Sequence, residues 1–253
     1  LEDLDSENTR TQGRAMAWLA EQKPDKLAEA ALKRITSNVP LKAQRLTAGA
    51  IHKAGANTVE AFLGEINPDM PATQLLKLIN VADMFINYTK VVPVMREIAL
   101  SGPTETVEPA LEVLEQIPGK EVDSAFLDLF DLAAGKIKLH ILYQFAKRKI
   151  IEAVPVLLDI IKPKWIWEKE TRISFQAKAC RTLGLIGSPE TAEKLIAVAI
   201  KPKLWAFKKT KPEPIRAAAT WALSKLPGSE RINSVLEVLK NDKSLRVRKA
   251  ARA

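Results

Sequence analysis

Four eight-residue stretches share one arrangement of polar, small and apolar positions. They are QGRAMAWL at 12–19, QRLTAGAI at 44–51, QAKACRTL at 176–183 and RAAATWAL at 216–223. Each opens on Gln or Arg, has a small residue three positions later (Ala15, Thr47, Ala179, Ala219) and closes on an apolar anchor. Steps of three and four place these positions on one helical face. Small residues there let a neighbouring helix approach closely. After each anchor the chain meets a breaker, such as Lys23-Pro24, Gly55, Gly187-Ser188-Pro189 or Pro227-Gly228-Ser229. A second amphipathic run then begins: LAEAALKRI at 27–35, VEAFLGEI at 59–66, AEKLIAVAI at 192–200 and INSVLEVLK at 232–240.

Less regular copies fill the middle of the chain. Their second runs are VVPVMREIA at 91–99 and AVPVLLDII at 153–161, and Pro118-Gly119 breaks another unit. The anchors Leu19, Ile51, Phe85, Leu114, Phe145, Leu183 and Leu223 recur at a spacing that fits one helix–turn–helix unit each. The expected units run approximately over 5–38, 39–68, 69–101, 102–135, 136–162, 163–201 and 202–241, with a partial unit at 242–253. Ser188-Pro189-Glu190 reads as an N-cap followed by proline at the first helical position, and Glu213-Pro214 and Ser244 as further helix starts. No segment alternates with period two long enough to form a strand, so the fold class is all-α.

Units such as IRAAATWALSKLPGSERINSVLEVLK, followed by NDKSLRVRKAARA, resemble HEAT repeats, particularly those with short units. The resemblance extends along essentially the whole chain, strongest at 170–253 and 10–66 and weakest at 70–135. HEAT repeats often carry Asp shortly before Val-Arg in the first helix. Asp242 with Val247-Arg248 matches that pattern, while Gln stands for the Arg in three other units. The resemblance implies a right-handed α-solenoid of about seven hairpins, a single repeat domain over 1–253 whose second helices line a concave side. It also implies an extended partner held there.

The last two full units exceed the others by several residues, and the excess falls in two similar stretches, IKPKWIWEKETRI at 161–173 and IKPKLWAFKKTKPEPI at 200–215. Insertions in a solenoid emerge along one edge, so these two are expected to be neighbours. They carry Lys162, Lys164, Lys169, Arg172, Lys201, Lys203, Lys208, Lys209 and Lys211 around Trp165, Trp167, Trp205 and Phe207. Two readings stand beside each other. The aromatics cover the seam between repeats while lysines snorkel outward, or they are exposed anchors for a partner.

Charge sharpens the second reading. The net charge of +9 divides into −7 over residues 1–135 and +16 over 136–253. Such a bipolar chain calls for a partner of opposite sign. An acidic protein, nucleic acid and an anionic membrane surface all meet that description.

Catalytic and metal chemistry find little footing. One cysteine, Cys180, allows no intramolecular disulfide and fits a reducing, cytoplasmic setting. It reads as a buried spectator in its helix. His52 and His140 lie in different segments, and a lone thiol completes no zinc set, so no metal or other cofactor is expected. Asp128 and Asp131 share a helical face but read as a solvated acidic surface beside Glu121 and Asp123. There is no apolar run of ~20 residues to span a bilayer. The first residue is Leu1 and the last stretch stops inside a helix-like pattern, which suggests part of a longer protein.

The reading is a non-enzymatic scaffold that binds a protein partner. The alternative is a nucleic-acid-binding solenoid that uses the basic C-terminal half. An enzyme ranks below both. The alkylpurine DNA glycosylases, which are HEAT-like, are similar in architecture only, because no residue here matches their catalytic motif.

Overall fold

The computed structural model describes residues 9–133, 135–162, 170–200 and 211–253, and among them the chain forms α-helices and short 3-10 turns with no strand. Contacts divide the chain into two compact units, Leu1–Leu132 and Ala133–Ala253.

The first unit contains α1 (Thr9–Gln22), α2 (Pro24–Thr36), α3 (Leu41–Ala54), α4 (Ala56–Gly64), α5 (Ala72–Ala82), α6 (Val91–Ser101), α7 (Thr104–Gln116) and α8 (Lys120–Leu132). The odd helices α1, α3, α5 and α7 lie side by side in one layer, and α2, α4, α6 and α8 form the other. The second unit contains α9 (Gly135–Arg148), α10 (Val154–Ile161), α11 (Glu170–Ile186), α12 (Ala192–Ala199), α13 (Glu213–Lys225), α14 (Glu230–Leu239) and α15 (Leu245–Ala250). Here α9, α11, α13 and α15 follow one another in one layer, and α12 and α14 pack together in the second.

The periodic anchors explain the layering. Ile51, Phe85, Leu114, Phe145, Leu183 and Leu223 are all fully buried, and Leu19 nearly so. Burying an apolar side chain of this size stabilises the folded state by about 1.5–3 kcal/mol. One hairpin offers too little surface to bury its own stripe, so the seam is shared with the next hairpin. The turns are set by residues that suit them. Pro24 starts α2 one residue after α1 ends, and Gly55, at φ 101°, turns the chain between α3 and α4 where a side chain would be strained.

The irregular third unit differs from the sequence expectation in detail. Its anchor, Phe85, lies in a 3-10 turn (Asp83–Phe85) that follows α5, not on the first helix itself. The turn swings the ring onto Phe62 of α4, with centroids 5.6 Å apart, and Tyr88 closes the cluster at 6.5 Å from Phe85. Aromatic contact thus joins the seam at this point.

All three helix starts fall where the sequence places them, but their first turns differ. Ser244 caps α15 by accepting from the Val247 amide at 3.3 Å, and α13 begins at Glu213-Pro214. Ser188 stands at the N-cap with Pro189 at the first helical position, although its side chain accepts no capping bond. Residues Pro189–Thr191 form a 3-10 turn, and the buried Thr191 hydroxyl donates to the Ser188 carbonyl at 2.7 Å. Proline's fixed φ and this local bond tighten the entry, so α12 starts only at Ala192. A 3-10 turn, Ile151–Ala153, also leads into α10, there without proline or a threonine bond.

Close packing of α11 on α13 rests on one residue. A Cβ added to Gly184 would sit 2.6 Å from the Ala222 Cα and 2.8 Å from its Cβ. The first of those is backbone and cannot swing aside. Gly184→Ala should therefore destabilise the protein by about 1–3 kcal/mol despite alanine's better helix propensity. Denaturant unfolding with unchanged slope would show it, and an equal or raised midpoint would refute the tight seam.

Candidate functional site

Every α-helix leaves its last carbonyls without intrahelical partners. In α11 and α13 the side chain that opens the repeated motif satisfies one of them, and in α3 it serves the link just before the helix. Gln44 of α3 donates through Nε2 to the Val39 carbonyl in the link after α2, at 3.0 Å. Gln176 of α11 donates to the Ile160 carbonyl near the end of α10, at 2.9 Å. Arg216 of α13 donates through Nε to the Ala199 carbonyl, the last residue of α12, at 3.0 Å. All three side chains are buried. Lys77 of α5 serves the end of α2 from a different register, donating to the Thr36 and Ser37 carbonyls at 3.1 and 2.7 Å.

Arg216 carries a second contact. Its Nη2 pairs with Asp242, whose side chain is only 10% exposed, at the link between α14 and α15. Asp242 also accepts from the Ser244 amide at 2.8 Å, while Arg248 donates to the Asp242 and Lys243 carbonyls at 2.7 and 3.1 Å. The aspartate of the recognised Asp–Val–Arg pattern therefore joins two successive hairpins. Sequence reading caught the polar position in each motif but not its partner. The partner is a main-chain oxygen 5 to 17 residues upstream, on which no residue type leaves a mark.

Of the thirteen residues predicted to contact a partner, the structure describes three. Lys162 is exposed at the end of α10 and pairs with Asp159 at 3.0 Å. Arg172, in the first turn of α11, is half-buried. Lys211 is half-buried and donates to Gln176 Oε1 at 3.3 Å, so that it supports the same glutamine that holds the α10 end. Lys164, Trp165, Trp167, Lys169, Lys201, Lys203, Trp205, Phe207, Lys208 and Lys209 lie outside the described residues.

The groups weighed for chemistry sit as follows. Cys180 is fully buried, and its thiol is pushed up to about 12 by that burial, with the Lys211 ammonium opposing only in part. Asp128 is exposed on α8 and pairs with Arg96 of α6 at 2.9 Å, and Asp131 is exposed. A shallow groove between these two second helices is lined by Val92, Pro93, Arg96, Ser124 and Asp128. His140 is half-buried on α9. Among the described residues no helix is long and apolar enough to cross a membrane, and no group of three His, Cys, Asp or Glu is placed to hold a metal ion.

Two-layered hairpins tied by an Asp–Arg pair define a helical-repeat protein. Residues 164–253, a little over a third of the chain, match the family model described as HEAT repeats. No curated protein matches the chain.

The Arg216–Asp242 pair should be the most sensitive polar contact in the second unit. Asp242→Ala leaves a buried guanidinium without its counter-ion, and a loss of about 3–5 kcal/mol is expected. Arg216→Met with Asp242→Leu removes both charges and should recover most of it, as read by denaturant unfolding. A single mutant as stable as wild type would dismiss the pair. The Cys180 thiol, protonated at neutral and mildly alkaline pH, should resist iodoacetamide in the folded protein and react fully once denatured.

Proposed function

We propose that the protein is a non-enzymatic HEAT-type scaffold whose hairpins stack as α-solenoid segments and hold an extended protein partner. The side-by-side succession of first helices, α9 to α11 to α13 to α15, with α12 and α14 layered behind, carries this reading. Such stacking joins repeated helix surfaces into one long surface, the form in which repeat proteins engage peptides and helices. HEAT repeats commonly serve as protein-interaction scaffolds. The α6–α8 groove, lined by Val92, Pro93 and Ser124 beside the Arg96–Asp128 ion pair, is a place for a peptide backbone and small side chains.

The two Lys-Pro stretches supply the second contact region in this proposal. Their tryptophans would anchor an acidic partner, with lysines at the rim. One buried thiol and no second cysteine suit a reducing compartment such as the cytoplasm.

The test is quantitative capture from a source lysate with the full chain as bait, beside a Trp167→Ala, Trp205→Ala variant checked for folding by circular dichroism. Hot-spot anchors predict that specific partners drop by at least about tenfold in the variant. The contact should also persist at raised salt, since apolar anchoring is little screened. Equal capture by both proteins would remove the loops from the proposal.

A further inference from the structure

The second unit separates its charges by layer. Its first helices, α9, α11, α13 and α15, carry twelve Lys/Arg against two Asp/Glu. The second helices α10, α12 and α14, with the 3-10 turns at Ile151–Ala153 and Pro189–Thr191, carry two against six. The two acids of the first layer, Glu170 and Glu213, stand at the first position of their helices. Glu213 is taken up there by the Ser244 hydroxyl at 2.9 Å and by Arg246 at 3.8 Å. The first unit has no such separation: α7 alone carries four glutamates and no base.

The outward side of this layer is continuous. Lys178 and Arg181 are exposed on α11. Arg181 reaches across to the Trp221 ring of α13, with its guanidinium 6.0 Å from the centroid, and Lys225 approaches the same ring at 5.4 Å. Lys225 also touches the carbonyl of Ala253, and Lys249 and Arg252 are exposed on the α15 side. Between the cations stand small residues, Ser174, Ala217 and Ser224. A flat ligand could therefore lie near the helices while the long side chains fork around it.

We propose that this face binds the phosphate backbone of double-stranded DNA without reading its sequence. Two rows of cations, on α11 and on α15, flank the nearly neutral α13. The axes of α11 and α15 are about 16–20 Å apart, two interhelical spacings of roughly 8–10 Å each. From axes set that far apart, long Lys and Arg side chains can lean inward to phosphates on the two lips of a B-form major groove about 12 Å wide, whereas the A-form RNA major groove is too narrow. Arg181 and Lys225 stand beside the Trp221 ring, so the face offers a base-stacking ring already engaged by cations. A membrane is a poorer fit. An interfacial helix needs a continuous apolar face to insert, and here Leu185 of α11, about half exposed, is flanked by charged and small residues.

The experiment is fluorescence anisotropy of a labelled mixed-sequence duplex of about 20 bp with the full chain, titrated from about 50 to 200 mM salt. The comparison is a Lys178→Gln, Lys249→Gln variant, one change on each row. Lys194→Gln, an exposed lysine on the opposite layer, is the control. Wild type should bind with log affinity falling linearly against log salt. The double variant should lose about two phosphate contacts, lowering the slope by about 1.8 and the affinity by roughly tenfold at moderate salt, with the control unchanged. No binding at about 50 mM salt overturns the proposal. So does unchanged binding in the double variant, duplex RNA binding at least as tightly as DNA, or phosphatidylserine vesicles binding where DNA does not.

Discussion

The C-terminal end of an α-helix is a polar object, with carbonyls that neither water nor the helix can satisfy once the end is packed against a neighbour. The described hairpins depend on solving that problem repeatedly. A long side chain from a following first helix reaches back and donates to the stranded oxygen, as Gln176 and Arg216 do at the ends of α10 and α12 and Lys77 does at the end of α2. The donor must be long enough to reach, and buried enough to fix the register between hairpins. A buried amide without a partner costs about 1–3 kcal/mol, so the bond matters more for what its absence would cost than for what it adds. Where the donor is charged, as in Arg216, a counter-ion must follow it inward, and Asp242 is that residue.

Around these bonds the packing adjusts by local means. Gly184 removes a side chain so that α11 can lie against the Ala222 backbone. In the third unit the chain turns a 3-10 corner that delivers Phe85 onto Phe62. The two solutions serve the same end, a shared apolar seam between successive hairpins. Close helix contact holds one seam by shape, and ring contact holds the other by area.

Much of the fold was legible because a helix writes its buried face into the sequence at intervals of three and four. Leu114, Phe145 and Leu223 announced their helices in this way, and each is fully buried. Cys180 was legible as a spectator for the same reason, being hemmed by Ala179 and Leu183 on the inward stripe. Hydrogen bonds to main-chain oxygen left no such trace, so the role of Gln176 was visible only as a recurring residue type. The 3-10 entry to α12 was hidden because Ser-Pro-Glu suits a cap equally well; the buried Thr191 hydroxyl decided the outcome. The charge of the second half was plain as a sum. Its separation into a basic and an acidic layer needed the alternation of first and second helices, with Lys178 and Glu193 on opposite sides. For the partner-contact stretches, the sequence pattern reaches three described residues, and of these Lys211 turns inward to Gln176.

The backward reach of the donors also gives the chain a direction in time. The carbonyl of Ala199 waits for Arg216, seventeen residues later. The ribosome adds residues at about 5–20 per second, so that interval lasts on the order of a second or more. Until the donor emerges, the end of α12 is a row of exposed acceptors beside an unshielded apolar stripe. Each hairpin is thus completed by its successor and in turn completes its predecessor. The growing protein would carry one unfinished edge that moves along with synthesis, and that edge is where a chaperone would find it.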